Sequence, residues 1–121
     1  MRYLIVHKSD GYYSKENPPP PEFLTQMNHF LDEANRAGVL LAGEGLHHPD
    51  RGTKIVVSQG KTTTVDGPYA EAKEVVAGFV MLDVKSHAEA VEWGYRFVTC
   101  FADNGAEVEA EVRPLVEPSD F

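Results

Sequence analysis

The sequence predicts one α+β domain built around an antiparallel sheet. Three observations carry that expectation: strand-like and helix-like runs succeed one another along the chain, the strand-like runs outnumber the helical ones, and a short glycine turn joins two of them into a hairpin. At 121 residues there is room for one sizeable core and no second domain, so residues 1–121 are read as a single unit.

Residues 2–7 open with a strand that sets Tyr3, Ile5 and His7 on one face and Leu4 and Val6 on the other. Both faces are largely apolar, which predicts a central strand covered on each side. Residues 8–17, with Asp10-Gly11, Tyr12 and Tyr13, read as an ordinary polar surface loop, and four prolines at 18–21 extend the chain towards a helix. Phe23, Met27, Phe30, Leu31 and Ala34 recur at helical spacing, so residues 22–37 form an amphipathic helix that Gly38 stops. His29 falls on its polar face beside Thr25, Asp32, Glu33 and Arg36 and reads as solvated. A short strand at 39–43 leads into the polar loop 44–52.

Residues 53–58 and 61–65 make a hairpin through Gln59-Gly60, where glycine supplies the positive φ of a tight turn. Residues 75–84 are the most apolar strand, and Ala77-Gly78-Phe79 invites close approach of a backbone or a ligand. Ser86 and Glu89 form a capping box that starts the second helix. On it Val91, Tyr95 and Val98 face one way, while Trp93, Phe97 and Phe101 widen the apolar arc enough to suggest burial against a second chain. Glu107, Glu109 and Glu111 alternate with Val108, Ala110 and Val112 in a last strand with a charged edge, closed by Arg113-Pro114. The order is that of the ferredoxin-like βαββαβ fold with an extra hairpin strand, both helices lying on one sheet face. A two-fold copy is the simplest cover for the other face, which predicts a homodimer.

Eleven basic and nineteen acidic residues give a net charge of −8 without a basic patch, which argues against nucleic acid and anionic membrane surfaces as partners. No apolar run is long enough to span a membrane, and the strand-like start has no signal-peptide architecture, so a cytoplasmic location is expected. The single cysteine, Cys100, sits in an apolar helical context and reads as a small buried hydrophobe.

The densest chemistry lies at Asp66-Gly67-Pro68-Tyr69-Ala70-Glu71-Ala72-Lys73-Glu74, a corner because Gly67 permits a turn and Pro68 removes an amide donor. This stretch, with Gly78-Phe79, Ala42-Gly43-Glu44-Gly45-Leu46, Glu92-Trp93 and Val112-Arg113-Pro114, resembles the DGPF subgroup of YCII-related proteins over nearly the whole chain. Tyr69 stands where that motif has phenylalanine. The resemblance implies a ferredoxin-like fold paired into a dimeric α+β barrel, with a poorly defined biochemical role. YCII-proper members pair a first-helix histidine with an aspartate, and no residue of this chain aligns unambiguously with that histidine.

The candidate catalytic residues are Asp66, His47 and Glu44, with Tyr69, Glu71, Lys73, Glu74, Arg113 and His7 as candidate substrate contacts. Asp66 has an alternative role in accepting hydrogen bonds from the amides of its own turn. Glu44 and His47 stand three apart, close enough for proton transfer near neutral pH. His47, His48 and Asp50 match no established metal spacing, so no metal and no cofactor are expected. No nucleophile elbow and no phosphate-binding glycine loop occurs. The expected chemistry is therefore acid/base, of lyase, isomerase or cyclase type, on a small molecule. Two other expectations come from the resemblance: a non-catalytic regulatory module associated with extracytoplasmic-function sigma factors, and a cofactor-independent monooxygenase.

Overall fold

A computed structural model describes residues 1–8, 13–67 and 76–121. Its elements are β1 (Arg2–Lys8), α1 (Pro21–Arg36), β2 (Leu40–Gly45), β3 (Thr53–Ser58), β4 (Lys61–Asp66), β5 (Val76–Asp83), α2 (His87–Ala102) and β6 (Glu109–Pro114). α1 starts on Pro21, which fits the first turn because its missing N–H would have no intrahelical partner. It ends as predicted at Gly38, whose φ of 74° suits a residue without Cβ. At α2 the Ser86 side chain accepts from the Glu89 amide at 3.1 Å, while the Glu89 carboxylate accepts from the amide of Lys85 at 2.9 Å, one residue further out than a capping box requires.

Four strands form one antiparallel sheet in the order β2-β5-β1-β6, which is the ferredoxin-like arrangement with β1 and β5 central. Register decides what each face carries. Ile5 lies beside Val80 and Val112, and His7 beside Gly78 and Ala110, on the helix-covered face. Leu4 lies beside Met81 and Arg113, and Val6 beside Phe79 and Glu111, on the opposite face. The core sits between the first face and the helices, with Ile5 and Leu82 fully buried. Edge-on and tilted ring contacts tie the layers together: Phe30 to Trp93 at 6.0 Å and to Phe97 at 5.7 Å, and Phe23 to Phe101 at 5.0 Å.

The aromatic arc of α2 differs from expectation. Trp93, Phe97 and Phe101 are buried within this chain, so they are not a surplus reserved for a second one, and Tyr95 is the large side chain left outside. The reason is helical phase: Ala90, Trp93, Gly94, Phe97, Cys100 and Phe101 share the face that meets α1 and the sheet. Cys100 is buried, its thiol pushed up from its ordinary pKa by burial, as befits an inert core residue.

Among the described residues β3 and β4 pair only with each other and form a separate two-stranded sheet, so the hairpin stands apart from the main sheet's edge. Gln59 and Gly60 have φ of 51° and 76°, the two positive values a tight two-residue turn needs. Every residue of both strands is exposed, including Ile55 at 66% and Val57 at 71%. The hairpin root is closed by the Gly67 amide donating to the Gly52 carbonyl at 3.0 Å and the Thr53 hydroxyl donating to Asp66 Oδ1 at 3.1 Å. Among the described residues no helix is long and apolar enough to cross a membrane.

A Cβ on Gly67 would run into the carbonyl of Pro49, a buried residue held in a 3-10 turn. Gly67→Ala is expected to destabilise the fold by about 1–3 kcal/mol, measured as a lowered midpoint in urea denaturation.

Candidate functional site

A cleft of about 440 Å³ opens between α1 and the helix-covered face near β2, within the range of roughly 300–1,000 Å³ usual for small-molecule sites. Its apolar walls come from Phe23, Met27 and Leu31 of α1, Phe97 and Phe101 of α2, and Ala77 and Val80 of β5. Small residues make the space: a side chain on Gly43 would fill the gap beside Leu31. Leu46 and Tyr13 stand at the rim.

Glu44 and His47 also line the cleft, and His7 stands among its apolar walls. Its ring centroid lies 4.9 Å from Phe101 and 5.3 Å from Phe97, and it is 8% exposed. Its Nδ1 is buried without a hydrogen-bond partner among the described residues. β1 alternation sends this side chain inward together with Tyr3 and Ile5, and Gly78 opposite makes room for it. Any Cβ on Gly78 would strike His7 Cε1 and come within 2.9 Å of the Glu44 carbonyl oxygen. The close approach of a backbone expected at Ala77-Gly78-Phe79 is met by β2 at Glu44, and the protein's own imidazole fills the remaining space. Burial pushes the His7 pKa down from 6.5 to about 4, so the ring is neutral at pH 7.

His47 lines the same cleft and also a second, polar one of about 460 Å³, whose other residues include Lys15, Glu16, His48, Asp50 and Arg51. His47 Nε2 lies 3.0 Å from Arg51 Nη1. Arginine can only donate, so Nε2 is the acceptor and the His47 proton sits on Nδ1. A 3-10 turn at Pro49–Arg51 fixes this geometry, capped by His48 Nδ1, which accepts from the Asp50 amide at 3.1 Å. The same nitrogen lies 3.2 Å from Asp50 Oδ1. It cannot accept and donate at once, so while it caps the turn that approach is not an ion pair.

The sequence-predicted residues divide three ways. His7, His47 and Glu44 all line the main cleft, but Glu44 is exposed, and register puts it on the sheet face of Phe79, opposite His7. Asp66 lines neither cleft; it is exposed at the hairpin root and accepts from Thr53, while the turn amides from Tyr69 onward lie outside the described residues. Arg113 lies beside Leu4 on the face away from His7, so within one chain it cannot meet the cleft. Tyr69, Glu71, Lys73 and Glu74 lie outside the described residues. Among the described residues no three potential metal ligands gather, and His29 is exposed beside Glu33 at 2.7 Å. Sequence reasoning missed Arg51 and the cleft walls. The i, i+4 spacing of His47 and Arg51 around Pro49 was the available signal for the former.

Comparison with known proteins gives two findings. The description of the YCII-related domain matches residues 1–115. An uncharacterised protein of Rhizobium meliloti strain 1021 is 38% identical over 58 residues, 48% of this chain and 44% of the relative, so the match spans less than half of that protein.

The buried histidine sets a pH dependence. In the unfolded chain His7 titrates near 6.5 and in the fold near 4, so between these values the unfolded state binds more protons, and stability falls as pH falls through that window. His7→Leu removes both this dependence and the unpartnered nitrogen. The variant is expected to be as stable as wild type or more so at pH 7, with its advantage growing by on the order of 3 kcal/mol towards pH 4, measured by urea denaturation across pH.

Proposed function

The chain belongs to the YCII-related family, and on that premise we propose that it is a small-molecule protein whose site is the apolar cleft over His7, with His7 as the group that exchanges a hydrogen bond or proton with the ligand. One observation carries the reading: a neutral histidine with an unsatisfied nitrogen, held at the wall of an apolar cleft. Leaving such a group unpaired costs roughly 1–3 kcal/mol, and an apolar residue there would avoid that cost. Stability sacrificed inside a cavity is the usual mark of a group kept for what enters it. A neutral imidazole accepts or donates, which suits cofactor-free acid/base chemistry on a compact substrate. Within the family, the likeness of Asp66-Gly67-Pro68-Tyr69 to the DGPF motif supports a place in that subgroup.

Titration with 2-naphthol is expected to shift the His7 imidazole signals in NMR spectra, and Leu31→Trp, which fills the cleft, is expected to abolish the shift. His7 signals untouched by the probe at millimolar concentration would overturn the reading.

We also propose that the functional unit is a homodimer. An isolated two-stranded hairpin is marginal in water, yet β3 and β4 expose Ile55, Val57 and Val65. Leu4, Val6, Phe79 and Met81 meanwhile form a half-exposed apolar strip on the uncovered sheet face. Sedimentation is expected to report a dimer for the wild type and a monomer for the double substitution Ile55→Lys, Val57→Lys.

A further inference from the structure

Resting on the reading of the cleft as a small-molecule site, we propose that its ligand is an amphipathic monoanion, an apolar body with a carboxylate head, whose body fills the His7 cleft and whose head is held by Arg51 in the adjoining polar cleft. The two cavities share Tyr13 and His47, so one ligand passing between them touches both.

Arg51 is marked out by its partner. In a chain of net charge −8, Arg2, Arg36 and Arg96 each bind a carboxylate, of Glu117, Asp32 and Glu33 respectively. Neither Arg51 nor Arg113 has a carboxylate ion pair among the described residues, but Arg51 donates instead to the lone pair of a histidine. That bond uses one of five N–H donors and, unlike a carboxylate partner, neutralises none of the charge, while tying the guanidinium to His47, which lines both clefts. It also leaves His47 with a proton on Nδ1, so both members of the pair present N–H groups. Across the polar cleft the Ser14 amide donates to the Asn17 carbonyl at 2.9 Å and the Asn17 amide donates to Ser14 Oγ at 3.1 Å, closing a turn that carries Lys15 and Glu16 into the lining.

The lining also limits the charge. Lys15 and Arg51 face Glu16 and Asp50, so the formal balance without the histidines is zero. A lining of zero net charge offers a dianionic phosphate no surplus of positive charge, whereas the planar shape of a single carboxylate matches the guanidinium fork. The neutral His7 and its aromatic neighbours fit the uncharged end of the same molecule.

Calorimetric titration of 2-naphthoate and of its neutral counterpart 2-naphthalenemethanol at pH 7.5, on wild type and Arg51→Gln, tests the assignment. The acid is expected to bind wild type at least tenfold more tightly than the alcohol. Arg51→Gln is expected to weaken the acid roughly ten- to a hundredfold and to leave the alcohol within about twofold. Arg51 is exposed, so the variant should fold, and an unchanged thermal midpoint confirms it. Equal affinities for the two probes, an equal loss of both in the variant, or a preference for the acid that survives the substitution would each overturn the carboxylate assignment while binding of the alcohol upholds the cleft. Binding of neither probe to wild type would overturn the cleft reading and this inference with it.

Discussion

The pairing of β1 with β5 sets His7 opposite Gly78, and most of the structure's functional potential follows from that one register position. A slip of one residue would turn His7 to the uncovered face and bring Val6 beneath the helices, removing the polar group from the cleft. The register is enforced from the apolar side. Ile5 and Leu82 are fully buried in the same face, and Phe97 and Phe101 close over the imidazole itself. The side chains that stabilise the core thus also exclude water from His7, and its low pKa is a consequence of packing, since burial is the cause acting on it.

That arrangement separates two kinds of residue the sequence mixes together. Alternation in β1, β5 and β6 sends His7 and Arg113 to opposite faces, so a histidine and an arginine that look equally available in the sequence belong to different surfaces. The uncovered face carries Arg113 and Glu111 among half-exposed Leu4, Val6, Phe79 and Met81, a composition suited to contact with another protein surface. The helix-covered face carries the cavity. A dimer formed over the former would leave the latter open, so assembly and ligand binding place no conflicting demands on the sheet.

The elements were legible where one periodicity dominates. β1, α1, the β3-β4 hairpin and the start of α2 follow from alternation, helical spacing, Gln59-Gly60 and Ser86, all local signals that tertiary contacts reinforce. The hairpin's detachment was not legible, because its alternating pattern is the same whether a strand joins a sheet or stands clear. The surplus assigned to α2 failed for a related reason: a helical wheel gives the width of an apolar arc but not the depth of the core, and here the sheet and α1 together occupy the whole of it. At the site, sequence reasoning selected residues by chemical type. His7 and His47 reach the cleft, whereas Asp66 does not, because its turn is engaged in closing the hairpin root through Thr53 and Gly67. Arg51 was passed over because a surface arginine is ordinary in a sequence and becomes informative only when its partner proves to be a histidine.

The two histidines of the cleft show how environment divides the work of one residue type. Burial fixes His7 neutral, and its Nδ1 has no hydrogen-bond partner among the described residues. His47 stands exposed at the rim, where Arg51 fixes its tautomer by occupying Nε2. A ligand entering between them meets a neutral imidazole within the apolar walls and a cationic, donor-rich pair at the mouth. Polarity therefore rises from the aromatic walls around His7 towards the loop that carries His47 and Arg51. The same packing that makes the imidazole neutral thus sets it apart from the charged groups around His47 and Arg51.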